Sequence, residues 1–145
     1  MPKTTKAAPA EGSSATVASK TTSAAKFLAE QRAALLSERA SDVEAAESLL
    51  QEAEMLAEDM EPGDIQFDEE SGEGDTLGVE RERDLLLSAQ ARAAVDEIDR
   101  ALAKMDAGTY GVCERCGHPI PKARLKALPY AALCVACKSG GLSRR

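Results

Sequence analysis

All four cysteines of this chain sit in two short pieces, "CERCG" at 113–117 and "CVACK" at 134–138. Two residues separate the thiols within each piece, and seventeen separate Cys116 from Cys134. That spacing matches a four-thiolate zinc site. Zn²⁺ takes four soft ligands at the corners of a tetrahedron, at about 2.3 Å. A two-residue gap lets one tight turn deliver two sulfurs to adjacent corners. Gly117, directly after Cys116, permits the positive φ that such a turn tends to need. Cys113, Cys116, Cys134 and Cys137 are therefore read as ligands of one structural Zn²⁺. A redox dithiol needs only one such pair, and a catalytic zinc keeps an open position for water. Four cysteines fill every position. His118, the only histidine, is read as a surface or supporting residue.

A segment this small could not fold on packing alone, whereas structural zinc supplies about 10–16 kcal/mol of apparent binding energy. Pro119, Ile120, Pro121, Leu125, Leu128, Pro129, Tyr130 and Leu133 are expected to form the finger's small apolar packing. Arg115 and Lys138 lie next to ligands. They either offset the charge of the thiolates or are ordinary solvated cations, and the residues alone leave both open.

The rest of the chain reads as helix. Of 145 residues only Phe27, Phe67, Tyr110 and Tyr130 are aromatic, and Trp is absent. A round core normally contains more large rings. Leu and Ala with abundant charged residues suit long helices packed along a seam. Leu28, Leu35, Leu49 and Leu56 fall on one seven-residue repeat, broken at Asp42, with Leu36, Val43 and Leu50 as the adjacent row. No Gly or Pro interrupts Ser23 to Met60, so a helix is expected over 23–59, ended by Pro62 and Gly63. A loop follows at 61–76, with three glycines and seven acids, and Asp75 or Thr76 can cap the next helix. The second helix is expected from about Leu77 to Ala107. Leu87, Ala91, Val95, Ile98, Leu102 and Met105 form its stripe, and Gly108 its left-handed cap.

The fold expected is mainly α: a long antiparallel helical hairpin over 23–108 with an acidic tip loop at 61–76, then a four-cysteine finger over 109–138. Residues 1–22 read as a disordered low-complexity tail and 139–145 as a flexible basic end. Heptads alone would also suit a passive spacer or a dimerisation arm.

Net charge is −7, unevenly spread. No Lys or Arg lies between Arg39 and Arg81, whereas from Cys113 onward seven basic residues face only Glu114. Such a molecule can present its two ends to different surfaces. No stretch is apolar for long enough to span a bilayer, and the N-terminus has no secretory apolar core. A reducing, cytoplasmic compartment is expected, where thiols hold metal in preference to forming disulfides.

The run "GTYGVCERCG", then "IP.ARL.ALP", then "LC..C" within residues 101–138 resembles the DksA/TraR family of bacterial RNA polymerase-binding regulators. With the hairpin before it, the resemblance covers roughly 23–138. It implies a monomeric regulator that inserts the hairpin into the secondary channel of RNA polymerase. Tip carboxylates then act near the catalytic centre, and no DNA sequence is bound. In some members ppGpp is a co-regulator. Family tips carry Asp-x-x-Asp-x-Ala. The equivalent register here is Glu70-Ser-Gly-Glu73-Gly-Asp75, with Asp64 and Asp68 as a second register. The carboxylates are Glu at two positions, and Asp75 stands where the family has Ala.

Two other functions fit parts of the chain: a zinc protein that uses Arg115, Lys122, Arg124 and Lys126 on nucleic-acid phosphates, and a structural coiled coil. The negative net charge and the lack of a recognition helix count against the first. No nucleophile–base pair and no phosphate-binding glycine loop is visible, so the chain is not expected to be an enzyme.

Overall fold

The computed structural model describes residues 14–60 and 73–140, with side-chain surroundings over 20–60 and 76–140. Four helices follow in order: α1 (Ser14–Asp59), α2 (Glu73–Ala107), α3 (Lys122–Ala127) and α4 (Val135–Ser139). At 1.5 Å per residue α1 is about 69 Å long and α2 about 52 Å. The two pack against each other, and the short helices belong to the cysteine-bearing segment that follows.

Two helix boundaries differ from expectation. α1 starts at Ser14, inside the segment read as a tail. Low hydrophobicity prevents a segment from folding alone. It does not prevent an existing helix from extending, because propagation adds one hydrogen bond per residue fixed. Residues 14–22 contain neither Gly nor Pro to stop it. α2 starts at Glu73, so Asp75 and Thr76 lie inside the helix and do not cap it. Gly74 falls in the first turn, where its conformational cost of about 1 kcal/mol is offset by the long helix that follows. Residues 1–13, 61–72 and 141–145, which hold the rest of the expected tail, tip loop and basic end, lie outside the described set.

The seam is built differently from the two leucine rows. Leu35 is fully buried and Leu49 and Leu56 are half-buried, as the heptad requires, whereas Leu28 of the same row is exposed. The neighbouring buried row, however, is Ala46 and Ala53, seven residues apart, while Leu36 is half exposed. Small residues let the helix backbones approach closely. The buried Ser88 hydroxyl of α2 donates to the Ala46 carbonyl of α1 at 2.8 Å. A side chain this short can reach the other backbone only where nothing larger than a methyl group intervenes. On α2 the expected stripe is in place, with Ile98 buried and Leu87, Ala91, Val95, Leu102 and Met105 half-buried. Ser88 and Ala101 are also buried in it.

Ion pairs on the rim fix the register. Arg39 forks onto Asp99, with Nε–Oδ1 at 2.6 Å and Nη2–Oδ2 at 3.2 Å. Arg32 bonds Asp106. The Arg39 hydrogen bond holds the Asp99 carboxyl below its usual range.

α2 ends at a left-handed glycine, as expected. Gly108 has φ +74°, Thr109 N donates to Lys104 O at 2.9 Å, and Gly108 N donates to Met105 O at 3.3 Å. These two bonds satisfy the last carbonyls of the helix and turn the chain into the finger.

Candidate metal centre

The finger begins with a tight hairpin that carries the first two cysteines. Val112 bridges Pro119 in antiparallel fashion. Cys113 N donates to His118 O at 2.9 Å, and Gly117 N returns to Cys113 O at 2.9 Å. Gly117 takes φ +71°, which closes the turn that delivers Cys113 and Cys116 together. The other pair straddles the start of α4: Cys134 is its N-cap, and Cys137 follows in its first turn. α3, begun by Pro121, covers the distance between the two pairs.

The Sγ atoms of Cys113, Cys116, Cys134 and Cys137 all lie within 4.8 Å of one another. Four sulfurs at about 2.3 Å from a shared ion would sit about 3.8 Å apart along each edge of a tetrahedron. The Cys116–Cys134 Sγ separation is 3.8 Å. The cluster therefore fits a tetrahedral thiophilic dication.

The electrostatics agree. Cys134 N donates to Cys113 Sγ at 3.4 Å, and this bond leads the contributions that bring the Cys113 thiol down to about 6. Cys137 is pushed up to about 12, chiefly by its hydrogen bond with the Cys134 thiol. Sulfurs this close cannot all ionise without a cation among them, and a bound dication removes that penalty. Arg115 donates from Nη1 to Cys137 O at 3.1 Å, so it lies against the second ligand turn. His118 is exposed and outside the sulfur cluster.

Behind the sulfurs, Cys113, Ile120 and Leu125 form a small buried cluster. Pro129 is buried too, and Leu128, Tyr130 and Leu133 are half-buried, whereas Pro119 and Pro121 are exposed. Arg124 donates to Leu133 O at 3.0 Å, which joins α3 to the second cysteine pair. Gly111 carries a constraint that the spacing of the cysteines did not reveal. Its φ is +82°, and a Cβ there would lie 3.3 Å from Leu125 Cδ1.

The finger is docked onto the base of the hairpin. Tyr110 donates its hydroxyl to Pro129 O at 2.7 Å and lies 3.3 Å from Gln31 Oε1, and burial pushes the phenol up to about 12. Lys104 of α2 pairs with Glu114. Phe27, Gln31 and Tyr110 join the two parts. Sequence reasoning gave Phe27 and Gln31 no role, because contacts across such a distance in sequence leave no periodic trace.

The acidic candidates are not brought together in the same way. Asp64, Asp68 and Glu70 lie outside the described residues, and Glu73 and Asp75 fall in the first turn of α2. That turn is at the end of the hairpin opposite the cysteines.

The profile of the prokaryotic dksA/traR C4-type zinc finger matches residues 108–140. Among curated proteins, general stress protein 16O of Bacillus subtilis is 38% identical over 84 residues, 58% of this chain and 52% of that protein. The RNA polymerase-binding transcription factor DksA of Caulobacter vibrioides is 40% identical over 57 residues, 39% of this chain and 40% of that one. Other curated relatives are matched over 31% and 27% of their length, so the chain spans about half or less of these proteins. Among solved structures, transcription factor DksA2 from Pseudomonas aeruginosa aligns with a TM-score of 0.68 at 27% identity, over 82% of this chain and 85% of that one. No helix among the described residues is long and apolar enough to cross a membrane. The finger thus matches the dksA/traR C4-type zinc-finger profile over residues 108–140, and the chain as a whole is similar in fold to DksA2.

Proposed function

We propose that this protein is a cytoplasmic regulator of transcription that binds RNA polymerase as a monomer and holds one structural Zn²⁺ through Cys113, Cys116, Cys134 and Cys137. The hairpin enters the secondary channel, and its acidic tip modulates initiation. The observation that carries the reading is the extent of the likeness to DksA2, which covers 82% of this chain. The rod's dimensions support it. A helix pair of about 50 Å, fixed at one end by the finger, can carry charge into a narrow passage without bending. The composition supports it as well, because the distal half has no basic residue between Arg39 and Arg81. Carboxylates delivered this way suit Mg²⁺ or basic groups near it.

Glu70, Glu73 and Asp75 are the first tip candidates, with Asp64 and Asp68 as the second. Transcription in vitro with purified polymerase tests the reading, with ppGpp present and absent. Neutralising Glu70, Glu73 and Asp75 together should alter transcript yield severalfold while leaving polymerase affinity nearly unchanged. Equal loss of both would make the tip a docking element. Failure of the unmodified protein to bind polymerase would refute the proposal.

A further inference from the structure

At the base of the hairpin, α1 passes from one partner to another. The Arg32–Asp106 pair sets residue 32 level with the last turn of α2, which ends at Ala107. Residues of α1 before that point run beyond the end of α2. Phe27, Gln31 and Leu35 follow one another at four-residue intervals and so share a face. The finger or its root covers each of them. Phe27 packs against the Cys113–Ile120–Leu125 cluster and lies 5.1 Å beneath the Lys122 ammonium. Gln31, 6% exposed, meets the Tyr110 hydroxyl. Leu35 belongs to the cluster against which Tyr110 and Tyr130 pack.

We propose that the finger is a metal-dependent clamp on α1: an ion held by the four cysteines keeps residues 24–35 helical and docked. The finger is too small to hold its shape without a metal, so the surface that receives Phe27 exists only while the metal is bound. The part of α1 beyond α2 can extend by propagation from the packed helix, but without a packed face its turns open readily, and docking of the finger is what protects them. The coupling is reciprocal. Whatever docking of Phe27 contributes to the finger must appear as tighter metal binding, by the same factor.

The clamp rests on the zinc reading and not on the polymerase reading. It is tested on the full chain by amide hydrogen exchange, with one equivalent of zinc and after chelation. Chelation should speed exchange about tenfold or more in residues 24–35 together with 109–138, while 46–56 and 84–95 keep their protection. Phe27→Ala should keep one zinc per chain, speed exchange in the same α1 segment, and lower zinc affinity about tenfold in a chelator competition.

Unchanged exchange at 24–35 on zinc removal overturns the clamp, and so does loss of protection along both long helices. Phe27→Ala with undiminished zinc affinity overturns it as well. A protein that takes up no zinc at the outset refutes the metal reading and the clamp together. Zinc uptake with an indifferent α1 refutes the clamp alone.

Discussion

Cys113 combines three roles in one side chain. It offers a sulfur to the cluster, receives the Cys134 N–H, and fills the buried apolar centre of the finger. Cys113→Ser should therefore release zinc and unfold residues 109–138, while the middle of the hairpin stays helical. Metal analysis and circular dichroism check this, and full zinc retention would contradict it. Gly111 gives a finer test. Gly108→Ala meets open space and bears only the cost of its positive φ, whereas Gly111→Ala adds a 3.3 Å contact with Leu125. Left-handed backbone at a non-glycine residue costs about 1–3 kcal/mol. Gly111→Ala should exceed Gly108→Ala in thermal destabilisation and should also weaken zinc binding. The cysteine cluster could be read from the sequence because ligand spacing is local geometry. The need for Gly111 could not, since it depends on a side chain fourteen positions further along.

At the scale of elements, the hairpin was visible in its apolar period and its punctuation, but its seam was not. A leucine row reads as core because it is apolar and large. Ala46, Ala53 and Ser88 read as neutral, although they set how closely α1 and α2 can approach. Ala53, 1% exposed, has no room to grow. Ala53→Leu should separate the helices locally and cost about 1–3 kcal/mol, seen as a lower midpoint of thermal unfolding. If stability were unchanged, the close approach would not be needed. The helix starts were hidden for a related reason. Composition reports whether a segment can fold unaided, and it does not report how far an established helix extends, as at residues 14–22 and 73–76.

Considered whole, the molecule is a rod with its two kinds of charge at opposite ends. The finger's one acid, Glu114, is paired with Lys104 of α2 and held below its usual range, chiefly by that hydrogen bond. Basic character therefore gathers near the metal centre, and acidic character along the far half. If reach matters to function, it can be changed without changing either end. Residues 43–49 and 85–91 face each other about the Ser88–Ala46 bond. Deleting both removes one heptad from each helix, keeps the seam in phase and shortens the rod by about 10 Å. Such a protein should still bind polymerase but lose its effect on transcription in vitro. An undiminished effect would show that the tip does not act at the depth proposed.

The packing of Tyr110 and Tyr130 at the joint between rod and finger has a practical consequence. The chain has no tryptophan, and these are its two tyrosines. Its tyrosine emission therefore comes from that joint alone, and an unlabelled sample carries its own optical gauge of whether the two parts remain together.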